Sequence, residues 1–151
     1  MDIWVYDMSF GGDAPQTEVA CVPFDEKYLQ DYKESYNRAF RPMREALDIR
    51  PYDWYSDDEA VLQKAGDIYL LIVDGELAGS VACYGNEIDD LFVRSDLQGK
   101  GYGKHLLFWA MAHIKETSSE PITLTVAQWN QGALRMYLDA GFEIVNRKQV
   151  R

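Results

Sequence analysis

The sequence predicts an α/β (α+β) fold with one shared core, on three observations. Strand-like runs alternate with segments whose apolar residues recur every three to four positions. No internal repeat, low-complexity tract or linker-like stretch divides the chain. Its 151 residues, 47% apolar and 26% charged, suit a single globular domain over residues 1–151 and are few for two.

The elements follow in chain order. Ile3 to Met8 and Thr17 to Val22 read as strands separated by the turn-rich Gly11 to Pro15, which makes a hairpin plausible. Tyr28, Leu29, Tyr32, Tyr36 and Phe40 fall on one face of a helix that Pro42 should end. Ser56 to Glu59 matches a capping box, opening a short helix that runs to Ala65 and stops at Gly66. A meander follows: Ile68 to Val73, a tight turn at Asp74-Gly75, Leu77 to Tyr84, a second turn at Gly85-Asn86, and Ile88 to Val93. Leu106, Leu107, Ala110, Met111 and Ile114 form the buried stripe of a helix over about Gly101 to Thr117. Ile122 to Val126 is then a strand, and Asn130 caps a helix with Leu134, Tyr137 and Leu138 on its inner face. Gly141 closes that helix, and Phe142 to Val145 is the final strand.

Composition narrows the partners. Fifteen Lys and Arg against 25 Asp and Glu give a net charge of -10, which repels nucleic acid and attracts a cationic small molecule or basic peptide. An acidic surface also serves solubility alone. No apolar run approaches the roughly 20 residues of a membrane helix, and the first residues lack a basic-then-apolar leader, so no membrane partner and a cytoplasmic location are expected. Cys21 and Cys83 lack a metal-ligand spacing and read as small buried hydrophobes.

The segment richest in chemistry runs from Leu91 to Lys104. An apolar strand feeds a loop with glycine at alternate positions, Gly99, Gly101 and Gly103, and the loop opens into an amphipathic helix. Small residues let the backbone come close to a ligand, and the free amides of a first helical turn point at an anion with the helix dipole behind them. Lys100 and Lys104 add charge nearby. The loop lacks the Gly-Lys-Ser/Thr ending of a P-loop and the glycine spacing of a dinucleotide fingerprint, so neither ATP nor NAD is favoured.

Gln98-Gly99-Lys100-Gly101-Tyr102-Gly103, set between that strand and that helix, resembles the signature Gln/Arg-x-x-Gly-x-Gly/Ala of the GNAT superfamily of N-acetyltransferases. The resemblance continues through Ile122 to Val126, Asn130, Ala133, Tyr137 and Gly141-Phe142, and covers most of residues 17 to 146. Residues 1–16 look like an extra N-terminal strand and turn. The resemblance implies a mixed, mostly antiparallel sheet flanked by helices, with two splayed parallel strands forming a cleft for acetyl-CoA, used without a metal. It implies that backbone groups of Leu91, Phe92 and Val93 pair with the pantetheine arm. Gln98 and the amides from Gly99 to Lys104 would cradle the pyrophosphate, and Asn130 would contact the cofactor as well as capping its helix. The acceptor would be a primary amine of a small molecule or peptide, and a homodimer is compatible with it.

Tyr137 matches the tyrosine that the family places near the sulfur, where a phenol protonated at neutral pH suits an acid for the departing thiolate. At helical spacing it is also a natural core aromatic. Glu87 lies eleven residues before Gln98, where several family members carry a glutamate base. It sits about 13 Å along the strand from Leu91, so a water relay or a bulge is needed. Asp89 projects to the same face and is nearer, and solvent is a third route for the proton. His105 and His113 are read as facing solvent, not as bases. Tyr52, Trp54 and Tyr55, with Asp53, Asp57 and Asp58, sit where the family builds its acceptor wall, though the same residues suit a core and a helix start. A different class of function, an acyl-CoA-binding sensor or scaffold without turnover, fits the same glycine loop.

Overall fold

The computed structural model describes residues 2–151. In chain order the elements are β1 (Trp4–Phe10), β2 (Val22–Pro23), α1 (Leu29–Ala46), α2 (Asp58–Leu62), β3 (Ile68–Val73), β4 (Glu76–Tyr84), β5 (Glu87–Val93), α3 (Tyr102–Lys115), β6 (Ile122–Ala127), α4 (Gln131–Asp139) and β7 (Glu143–Gln149). The seven strands form one sheet in the order β2-β3-β4-β5-β6-β1-β7. Every neighbouring pair is antiparallel except β5 and β6, which are parallel.

Strand periodicity divides the core into two layers. Ile68 and Leu70 of β3 face one side, where Tyr32 and Tyr36 of α1 and Val61 of α2 pack with Tyr55 and Phe92. Leu71 of β3 and Ala78 and Val81 of β4 face the other, against Leu106, Leu107, Ala110, Met111 and Ile114 of α3. The contact of α3 with β4 leaves no room for a side chain at Gly79, whose Cβ would lie 2.7 Å from the Phe92 carbonyl and 2.8 Å from Leu106 Cδ1. The Asp74-Gly75 turn has the positive φ expected of it, 54° and 80°.

Several expectations are corrected. Ile3 to Met8 and Thr17 to Val22 do not form a hairpin: β1 lies between β6 and β7, while β2 is reduced to Val22–Pro23 on the far edge against β3. β1 gains two antiparallel partners there and buries Val5 and Met8, so the N-terminal strand is interior to the sheet. Helix α1 passes through Pro42 and ends at Ala46, four residues later than the proline suggests. The cap of α2 is Asp57, which accepts from the Ala60 amide at 2.9 Å, and not Ser56; the helix ends at Leu62, well before Gly66. Leu138 is exposed on α4, whose buried contact is Leu134.

An interior β1 has a measurable consequence. Met8 is 1% exposed, and Met8→Ala is expected to cost about 2–4 kcal/mol in urea unfolding. A change within about 0.5 kcal/mol, the scale of a surface substitution, would mean that β1 is peripheral.

Candidate active site

Strands β5 and β6 share a single pairing, Glu87 with Thr123, reinforced by the Thr123 amide donating to the Asn86 carbonyl at 3.0 Å. Beyond that point they part. On the other side of β5, Ser80 pairs with Phe92 and Ala82 with Asp89, so Asp90 and Leu91 together oppose Val81 in a β-bulge. Asp90 takes the left-handed conformation there, with φ 51°. Its Oδ1 accepts from the Tyr36 hydroxyl at 2.9 Å and its Oδ2 from the Tyr84 hydroxyl at 3.3 Å, which ties the bulge to α1 and β4.

A cleft of about 820 Å³ opens where the strands separate. Leu91, Phe92 and Val93 form one wall, and Gln98, Gly99, Gly101, Tyr102 and Gly103 form its end. Gly99 and Gly101 adopt φ 81° and 88°, which only glycine takes without strain, and Gly101 is the N-cap of α3. The first helical bond runs from the His105 amide to the Gly101 carbonyl, so the amides of Tyr102, Gly103 and Lys104 have no partner in the helix. Gln98 folds its side chain back to donate to the Val93 carbonyl at 3.1 Å, closing the loop onto the strand. Asn130 does cap α4, accepting from the Ala133 amide at 3.2 Å, and it also lines the cleft.

Four predicted residues lie outside the cleft lining: Glu87, Tyr137, Lys100 and Lys104. Lys104 lines a neighbouring groove between α3 and α4 with Phe108 and Arg135. Sequence reasoning missed the last turns of α1, where Arg38, Phe40, Pro42 and Met43 overhang the cleft, and the half-exposed Trp129 opposite them. Pro42 has no N–H to return to the Arg38 carbonyl, and its presence in a continuing helix is the one sequence signal that marks this wall.

The ionisable groups of β5 and α4, Glu87, Asp89 and Tyr137, do not line the cleft. Glu87 is exposed at the closed end of the splay, beside Thr123. Asp89 is exposed at the surface, but the protein around it removes part of its carboxylate's hydration. That desolvation, reinforced by the charges of Asp90 and Glu87, pushes its carboxyl up to about 6 against the opposing pull of Lys64 and of the Asp90 amide. The amide donates to Asp89 Oδ1 at 2.7 Å. Tyr137 on α4 packs edge-on against Phe142, and burial, with the charge of Asp89, pushes its phenol up to about 12.

The aromatic and acidic segment after α1 is largely committed to structure. Tyr55 is buried against Tyr32 and Tyr36, Asp53 pairs with Arg41, Asp58 pairs with Lys33, and Trp54 stacks under Arg44. Tyr52 hydrogen-bonds Asp48 and lies under Arg41 and Arg50. The histidines are less exposed than expected: His113 stacks on Trp109 and against Tyr69, and His105 buries Nδ1 without a partner among the described residues. Neither lines the cleft.

Residues 27–142 match the acetyltransferase (GNAT) family. A Methanocaldococcus jannaschii protein described as an uncharacterized N-acetyltransferase is 29% identical over 133 residues, which cover 76% of this chain and 56% of that protein. One from Archaeoglobus fulgidus with the same description is 27% identical over 125 residues, covering 75% of this chain and 85% of that one. The solved structure of an acetyltransferase from the GNAT family of Colwellia psychrerythraea superposes with a TM-score of 0.76 at 11% identity, over 97% of this chain and 54% of that one. The chain thus spans only a little over half the length of the first and third of these proteins.

Asp89 carries a stability cost that can be measured. Its folded-state value lies above its ordinary 3.8, so the folded protein binds the extra proton, and stability falls as pH rises from about 4 through about 6. Asp89→Asn removes that cost. With solvent access screening the effect, the variant is expected to gain about 1 kcal/mol at pH 7 and nothing at pH 3.5 in denaturant unfolding. An equal change at both pH values would contradict the assignment.

Proposed function

The chain belongs to the GNAT family of acetyltransferases, and on that premise we propose that it transfers the acetyl group of acetyl-CoA to a primary amine of a small molecule or peptide. The amine attacks directly in a ternary complex. The observation that carries this reading is the parting of β5 from β6 beside a left-handed glycine loop whose helix amides lack internal partners. Acetyl-CoA supplies an activated acyl thioester, and the residues present fit it: an 820 Å³ cleft open along a strand edge, ending at an anion-seeking helix N-terminus.

The backbone of Leu91, Phe92 and Val93 has no β6 partner along the cleft and is available to an extended ligand as a strand edge. Gly99 to Lys104 present amides to the diphosphate, and Asn130 fixes the start of α4 across from them. Lys100 and Lys104 act at longer range, as charges flanking the loop.

Acid and base roles go to Tyr137 and to a carboxylate of β5. Tyr137, raised to about 12, keeps its proton at neutral pH and donates it to the leaving thiolate. A carboxylate on β5 accepts the proton of the incoming ammonium. Asp89, raised to about 6, is ionised at pH 7 yet basic enough to be effective, and it lies two residues nearer the bulge than Glu87. Glu87, one residue after the second turn, is the alternative base and would reach the site through water. The carboxylates Glu87, Asp89 and Asp90, faced by the single cation Lys64, favour a cationic acceptor. The place of β1 between β6 and β7 supports reading the chain as one acetyltransferase unit.

The test is thiol release from acetyl-CoA across a panel of amines, with products read by mass for one added acetyl group. Tyr137→Phe should lower turnover by roughly 10²-fold with cofactor affinity retained. The acidic limb of kcat/KM is expected near pH 6, disappearing in Asp89→Asn. A limb that survives in Asp89→Asn and disappears in Glu87→Gln would move the base to Glu87. Tight CoA binding with no turnover on any amine would instead favour an acyl-CoA sensor.

A further inference from the structure

The mechanism assigned to Asp89 leaves its neighbour unexplained. A non-glycine residue at φ 51° in the middle of a strand is strained unless its surroundings hold it there. Here they do: two phenols from different elements of the α1-side layer, Tyr36 on α1 and Tyr84 on β4, converge on the Asp90 side chain, one oxygen each. Burial and the nearby carboxylates push both phenols, Tyr36 and Tyr84, far above their ordinary value, so they serve only as donors. The amide of Asp90 simultaneously holds Asp89 Oδ1 at 2.7 Å. One residue therefore joins α1, β4 and the neighbouring carboxylate of Asp89.

We propose that Asp90 is a positioning residue for acetyl transfer: clamped by Tyr36 and Tyr84, it fixes the β5 bulge, orients Asp89 through its own amide, and places a second carboxylate beside it. The proposal rests on Asp89 being the base. The groups facing Asp89 are few. On its own strand they are Asp90 and Glu87; from outside they are Lys64 beyond α2, Tyr137 on α4, Tyr36 on α1, Tyr84 on β4 and Tyr55 in the connection after α1. Lys64 is the only cation among them, and Asp90 is the largest source of charge acting on Asp89. Desolvation makes the greater contribution to holding Asp89 protonated, and it survives any change at Asp90.

This predicts a specific separation of effects. Asn tolerates the left-handed region, keeps one carbonyl oxygen for a tyrosine and removes the charge. In Asp90→Asn, titration of the Asp89 side chain, followed by carbon NMR in the free protein, should fall from about 6 by about one pH unit. The acidic limb of kcat/KM should fall with it, while the KM for acetyl-CoA stays within about twofold, the scale of a minor perturbation. Asp90→Gly adopts the same φ without strain and removes the clamp as well. It should show the same titration shift together with a raised KM for acetyl-CoA, and it carries the test if the asparagine variant does not fold. Asp89 titrating as in the parent in both variants overturns the proposal. A parent acidic limb that persists in Asp89→Asn overturns instead the reading of Asp89 as base, whatever Asp90 does to its titration.

Discussion

Two parallel strands that stay paired at only one rung are the constraint on which the rest of this structure depends. A sheet normally satisfies its backbone donors and acceptors in its neighbour, and an interior strand edge left open must find partners elsewhere. Here Glu87 and Thr123 close one end of the β5–β6 seam, and beyond them the bulge at Asp90 and Leu91 turns β5 away. What opens is a cleft bounded by unpaired strand on one side and by the start of α3 at its end. Both features leave backbone groups without partners in the sheet or helix, and the proposed cofactor site rests on them.

The bulge is held in place from both layers of the core. On one face, Tyr32, Tyr36, Tyr55 and Phe92 form a contiguous aromatic cluster under α1, with ring centroids 4.7 to 5.9 Å apart. The hydroxyls of Tyr32 and Tyr55 are buried there without a partner among the described residues, whereas Tyr36 spends its hydroxyl on Asp90. On the other face, Gly79 lets β4 lie against both the Phe92 carbonyl and Leu106 of α3. Packing thus fixes β5 on the β4 side while leaving its β6 side free. The sheet recovers continuity beyond the cleft through β1, which pairs with β6 along six residues and with β7 on its other edge.

Much of this was legible in the order of residue types. The Asp74-Gly75 turn, the buried stripe of α3, the Asn130 cap and the loop from Gln98 to Gly103 each rest on local chemistry, and local chemistry survives folding. Ile88 to Val93 reads as an unbroken strand, and nothing in that run announces that Asp90 will be left-handed; the cause is tertiary, two tyrosines from other elements. The course of β1 is likewise a choice between partners far apart in sequence. Pro42 misleads for a different reason, since a helix loses one hydrogen bond at a proline and still continues when its later turns are packed or paired, as Arg41–Glu45 and Arg44–Trp54 do here. Asp57 displaces Ser56 as the cap because adjacent residues of similar capping strength differ only in which one the chain places at the extended φ and ψ.

The central claim, that the parted strand and the glycine loop together bind acetyl-CoA, is most directly tested by titrating isotope-labelled protein with CoA and following every backbone amide by NMR. The account predicts that the largest shifts fall on Leu91 to Val93, on Gly99 to Lys104 and at Asn130, with β2, β3 and β7 unmoved. Saturable shifts confined to other elements, or none at millimolar CoA, would contradict it.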